Sequence, residues 1–212
     1  MNITVFGCST SYLPYDGTNV VGKSYIDLLQ EKHIINGIWV NGLNVFNVRE
    51  EAKNFIRGND RWIILHLGAV EAFTHPPDYL IDYALNNMLI WGSNRYFLSL
   101  LVKAKKSFNE KKEEYFHLID VIEFERVYRD ILEITWGSKV IIVGLGKPNT
   151  FDSFRQIQVG LYEQVLRKLH DEYQTKFVNL WNNYSEFIVD LNHLNDQGHK
   201  KIFNELEEIF NE

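Results

Sequence analysis

The chain has 212 residues, 45% of them hydrophobic and 24% charged, with a formal net charge of −6. This suits one globular domain with enough apolar material for a full core, and an acidic chain without a sustained basic run offers no nucleic-acid footprint. Cys8 is the single cysteine, so no internal disulfide can form; with no basic-then-apolar leader and no apolar run near ~18 residues, the expectation is a cytoplasmic protein without a membrane span.

Taken in order, Asn2–Phe6 reads as a first strand, running straight into Gly7-Cys8-Ser9-Thr10-Ser11. The loop over 7–19 is rich in Ser, Thr, Gly and Pro and belongs at an exposed sheet edge. Val21–Glu31 carries Tyr25, Ile26, Leu28 and Leu29 at helical spacing. Ile38–Phe46 is apolar and β-branched and reads as a second strand, with a short helix over Arg49–Arg57. Trp62–Leu67 is nearly continuous apolar sequence, the pattern of a strand covered on both faces, and it stops at Gly68.

From Asp78 to Thr135 the period is helical, with the charged stretch Lys103–Glu114 as a solvated face or turn. Lys139–Val143 is the next buried strand and Gly144–Asn149 its exit loop. A helix follows over Ser153–Tyr173, then a short strand at Phe177–Leu180. A closing helix starts at Leu194 or Asn195 and runs to Phe210. Strands alternating with helices imply a parallel sheet covered on both faces, with functional groups at the carboxyl ends of its strands. Ser9, the Gly68 turn and the Gly144 loop fall at such ends. Asp190-Leu191-Asn192-His193 follows the last strand and can reach the same rim.

That rim holds a set for nucleophilic acyl transfer. Ser9 needs a base, because a free hydroxyl is hardly ionised at neutral pH. His193 can supply it through one ring nitrogen, while Asp190 holds the other and favours the imidazolium that forms. Against this stand plainer roles: a capping serine, a turn aspartate and an exposed loop histidine. His199, on the first turns of the closing helix, reads as a packing residue, Asn195 or Asp196 as that helix's cap, and Cys8 as a small buried residue at a strand end. There is no Gly-x-Ser-x-Gly elbow. Gly144-Leu145-Gly146-Lys147-Pro148 lacks the spacing of a phosphate loop. No His-Glu-x-x-His or Cys/His cluster argues for a metal, so neither metal nor cofactor is expected.

At these residues the chain resembles the SGNH, or GDSL-type, hydrolase superfamily. Gly7-Cys8-Ser9 is similar to its first block. Asp190-Leu191-Asn192-His193-Leu194-Asn195 with Gly198-His199 is similar to its last. The resemblance implies a flavodoxin-like three-layer α/β/α fold around a parallel sheet of about five strands. It further implies Ser9 as nucleophile, His193 as base and Asp190 as its orienter, acting on ester bonds of small molecules, lipids or acetylated sugars. The third block, Gly-x-Asn-Asp, is matched by Gly68-Ala69-Val70-Glu71, so Val70 stands where the family places an oxyanion-binding amide. The second-block glycine falls near Phe46, with Gly42 the weaker match. Phe46, Gly68, Val70 and Glu71 are thus the candidate oxyanion or substrate-binding positions. Asn44, Asn47, Asn149 and His66 are candidates for a substitute donor.

The expected organisation is one SGNH-like domain over 1–212, with a helical insertion at about 74–137 serving as a lid, an acceptor wall, a dimer surface or simply an extra helix pair. The expected activity is serine-dependent ester hydrolysis or acyl transfer, with a carbohydrate O-acetyl group as the expected target, given an aromatic-rich chain suited to sugar stacking. A catalytically weak relative that binds a polysaccharide or a partner is the second expectation. A nucleotide-binding module is the third, disfavoured by the missing phosphate loop.

Overall fold

A computed structural model describes residues 1–14, 16, 19–56, 62–75, 116–117, 119–148, 153–189 and 193–212. Strand β1, Asn2–Gly7, leads into the one-turn helix α1, Ser9–Tyr12. Helix α2, Tyr25–Gln30, is opened by a reciprocal capping box between Ser24 and Asp27, and it is followed by β2, Ile34–Trp39. Helix α3, Val45–Phe55, precedes β3, Trp62–His66, and the short α4, Ala69–Ala72. A two-residue antiparallel pair, β4 (Thr74–His75) and β5 (Phe116–His117), comes before α5, Val121–Ile134. Strand β6, Lys139–Val143, then α6, Ser153–Tyr173, and β7, Lys176–Val178, complete the sheet. The chain closes with α7, Leu180–Asn183, a 3-10 turn at Ser185–Phe187, and α8, Asp196–Phe210.

The central sheet has five parallel strands in the order β2-β1-β3-β6-β7. Its side chains alternate between two cores, as the pleat requires. Phe6, Ile63, Leu65, Val140 and Ile142 face α3, α5 and α6. Ile3, Val5, Ile64, Ile141 and Val143 face α2 and α8. The result is three layers, helix on sheet on helix. Every residue of β3 is buried, which explains the unbroken apolar run there. Deleting a buried aliphatic side chain of this kind typically costs ~2–5 kcal/mol.

Three sequence readings need correction. The strand expected over Ile38–Phe46 lies earlier, at Ile34–Trp39, and Val45 and Phe46 already belong to α3. The cause is local: the Asn44 side chain accepts from the Asn47 backbone N–H and Asn47 returns the bond, so a helix starts where apolar content suggested a strand. The helix expected from Val21 begins only at Tyr25, and the last strand ends at Val178, with Leu180 opening α7. Of the expected insertion, residues 76–115 lie outside the described residues. Residues 121–134 form α5, which buries Phe124, Val127, Tyr128, Ile131 and Leu132 in the core shared with α3 and α6. That part is a layer of the fold itself.

Candidate active site

Ser9 sits two residues past the end of β1, at the first position of a single helical turn. Its backbone N–H belongs to the first turn, where no intrahelical acceptor exists. Cys8, Thr10 and Ser11 are all buried; Ser9 is half-buried, and its hydroxyl meets His193 Nε2 at 3.1 Å. A hydroxyl and an imidazole at that separation can pass a proton in either direction.

His193 is held by backbone from both sides. Its carbonyl accepts from the Val189 N–H at 3.0 Å, Ile188 and Leu194 form an antiparallel bridge, and the Asn195 N–H donates to the Phe187 carbonyl at 2.9 Å. Asn195 caps α8 by accepting from the Gly198 N–H at 2.9 Å. The loop is therefore clamped between the 3-10 turn and the closing helix. Asp190 lies outside the described residues.

The other sequence candidates surround the strand ends. Gly68 is buried at φ 109° and forms the turn from β3 into α4, a conformation in which any other residue is strained. Val70 is half-buried against the apolar core, as its side chain suits. Phe46 is buried in the first turn of α3, with the Arg49 guanidinium 5.4 Å from its ring centroid. Glu71 is fully buried, and its carboxylate accepts the Val45 backbone N–H at 2.6 Å, tying α4 to the start of α3. Burial pushes its carboxyl up to about 7. Of the candidate substitute donors, Asn44 and Asn47 form the α3 capping box, Asn149 is outside the described residues, and His66 is buried beneath α1.

Cys8 is fully buried beside the Thr10 hydroxyl, and burial raises its thiol to about 11, so it cannot supply a thiolate at neutral pH. His199 is also buried; it accepts the Tyr25 backbone N–H on Nδ1 at 3.3 Å and stacks on the Tyr25 ring, and burial lowers it to about 4. It packs, as its position on the closing helix led us to expect. Among the described residues no group of His, Cys, Asp and Glu is arranged to hold a metal, and no helix is long and apolar enough to cross a membrane.

No protein-family model matches the sequence, and no characterised protein matches it at the sequence level. Similarity to solved structures is extensive. The acetyl xylan esterase AlAXEase aligns over 99% of both chains at TM-score 0.62 and 14% identity. A catalytic mutant of an acetylxylan esterase from Geobacillus stearothermophilus aligns over 98% of this chain and 92% of its own, at TM-score 0.60 and 13% identity. A GDSL-like lipase from Parabacteroides merdae aligns over 98% and 94%, at TM-score 0.58 and 14% identity. With its five-stranded parallel sheet between helical layers, and a serine and a histidine meeting at the carboxyl rim, the chain has the fold of the SGNH, or GDSL-type, hydrolases.

Proposed function

We propose that the protein is a serine-dependent esterase or acylhydrolase whose nucleophile is Ser9 and whose general base is His193. The observation that carries this reading is the 3.1 Å contact between Ser9 Oγ and His193 Nε2, across 184 residues of sequence. In the proposed first half-reaction, His193 takes the hydroxyl proton as Ser9 Oγ attacks the ester carbonyl. The tetrahedral oxyanion forms beside the Ser9 N–H at the start of α1. His193 then gives its proton to the leaving alcohol, and the acyl group remains on Ser9. In the second half, His193 deprotonates a water that attacks the acyl carbon and releases the acid; an acceptor hydroxyl in place of water gives acyl transfer. Asp190 is assigned, from the resemblance of its block, to hold the far side of the His193 ring.

A carbohydrate O-acetyl ester is the proposed substrate. Its support is that two of the similar structures are named acetyl xylan esterases. The test compares p-nitrophenyl acetate with acetylated xylooligosaccharides, in the wild type and in Ser9→Ala. Turnover that survives Ser9→Ala unchanged rules the reading out. Turnover of the aryl ester but no release of acetate from the oligosaccharides keeps the esterase and removes the sugar.

A second reading has one observation in its favour. The Val70 side chain has no donor to offer an oxyanion, and the loss of one such donor typically costs ~100–1000-fold. On that reading the protein is a weak catalyst that binds a polysaccharide or a partner. Binding of xylooligosaccharides without acetate release would favour it.

A further inference from the structure

The helix that carries Ser9 is one turn long, and its cap residue, Cys8, makes no side-chain capping bond. A lone turn of helix has no stability of its own, so contacts from elsewhere must fix the direction in which Ser9 points. Those contacts are polar and buried. The Cys8 thiol meets the Thr10 hydroxyl at 3.1 Å, and Thr10 meets His66 Nε2 at 3.4 Å. His66 Nδ1 meets the Tyr25 hydroxyl at 3.2 Å, and the Ser11 hydroxyl also faces that phenol. Thr10 is thus tied to a buried imidazole that is itself bonded to a buried phenol, and Cys8 is tied to Thr10. Ser9 turns instead to His193.

Gly7 makes room for this arrangement. A Cβ there would lie 2.2 Å from Ser11 Oγ. Gly7 also sits opposite His66 in the β1–β3 register, which brings the imidazole directly beneath the turn. The other side of Tyr25 reaches the base. Its backbone N–H donates to His199 Nδ1, and its ring stacks on His199 with centroids 5.9 Å apart. His199 lies in the first turns of α8, whose cap, Asn195, ends the clamped loop of His193.

We propose that His66 and Tyr25 are positioning residues that set Ser9 against His193, joining the nucleophile's turn to the base's loop through the protein interior. This rests on the function proposed above but assigns roles to residues that touch no substrate. Neither side chain is replaceable by an apolar one without cost to its partners: loss of the imidazole takes one buried partner from each of the Thr10 and Tyr25 hydroxyls, and loss of the phenol takes the partner of one nitrogen of a buried ring.

The test compares wild type, Tyr25→Phe, His66→Leu and His66→Gln. Tyr25→Phe should lower kcat about tenfold and His66→Leu about 100-fold, with KM held within about twofold, because misplacement of a catalytic group by ~1 Å costs that order. His66→Gln, whose amide can reach Thr10, should recover part of the loss. A second readout needs no turnover: in 15N-histidine spectra, Tyr25→Phe should shift the imidazole resonances of His193. Unchanged kcat, a loss that merely follows the folded fraction measured by circular dichroism, or His193 resonances identical to wild type would overturn the proposal. Failure of the esterase reading shows separately, as wild-type turnover that Ser9→Ala does not reduce.

Discussion

The two edges of the central sheet are built differently. At the carboxyl edge, where β1, β3 and β6 end, polar side chains are buried: Thr10, Ser11, His66, Glu71 and Glu163 are all at most 4% exposed. At the amino edge, around the first residues of β3, β6 and β7, lies a cavity of about 570 Å³ lined by Trp62, Trp136, Lys139, Tyr173 and Lys176. Trp136 there is 78% exposed. The amino edge holds an open cavity, and the proposed chemistry lies at the carboxyl edge. A hydroxyl and an imidazole that can exchange a proton meet at the carboxyl edge.

Ser9→Ala breaks the contrast most severely. It should lower ester turnover by ~10⁴-fold or to the background rate, since a triad loses most of its advantage when any member is removed; steady-state kinetics on p-nitrophenyl acetate measures this. Val70→Asn sharpens the contrast in the opposite direction. If the carboxyl edge lacks one oxyanion donor, restoring an amide should raise kcat by ~10–100-fold with little change in KM. An unchanged kcat would place the missing donor on another residue.

Glu71→Gln tests what the buried carboxylates cost. Burial raises the Glu71 carboxyl from its ordinary 4.5 to about 7. The folded protein therefore holds this proton where the unfolded chain has released it. The penalty is absent below pH 4.5, grows as pH rises toward 7, and levels off above it at roughly 3 kcal/mol. Gln keeps an acceptor for the Val45 N–H without a charge. Glu71→Gln should thus flatten the fall in Tm between pH 5 and 8, as read by thermal melts at each pH. Glu163, raised to about 7 by burial while it accepts the Leu145 N–H at 2.7 Å, adds a slope of the same sign. His66 and His199 act oppositely: burial lowers them to about 3 and about 4. Their stabilising neutrality is complete above pH 6.5 and is lost as pH falls through the acid range, because the unfolded chain takes up protons there first. The smallest effect belongs to the amino edge. Trp136→Ala should leave kcat/KM within about twofold and stability within ~0.5 kcal/mol, as for a surface residue away from the reaction.

Much of the sheet and of its carboxyl edge was legible in the chain. Trp62–His66 and Lys139–Val143 announce themselves because strands covered on both faces have no polar side to confuse the reading. The meeting of Ser9 and His193 followed from topology: the first turn and the last loop of a parallel sheet share a rim. Strand β2 was misplaced because it is an edge strand, half-exposed along its length, and so lacks the buried-strand pattern. The reciprocal Asn44–Asn47 cap was visible as a spacing and could have placed α3 correctly. The roles of His66 and Tyr25 were hidden for a different reason. A histidine inside an apolar run shows nothing of its partners, which come from α1 and α2, 56 and 41 residues away.

The most direct measurement is covalent. A fluorophosphonate probe, incubated with the native protein and mapped by peptide mass spectrometry, reports which hydroxyl is activated. Modification is expected at Ser9, strongly slowed in His193→Ala and absent in Ser9→Ala. Modification at another residue, or equal labelling of wild type and His193→Ala, would contradict it.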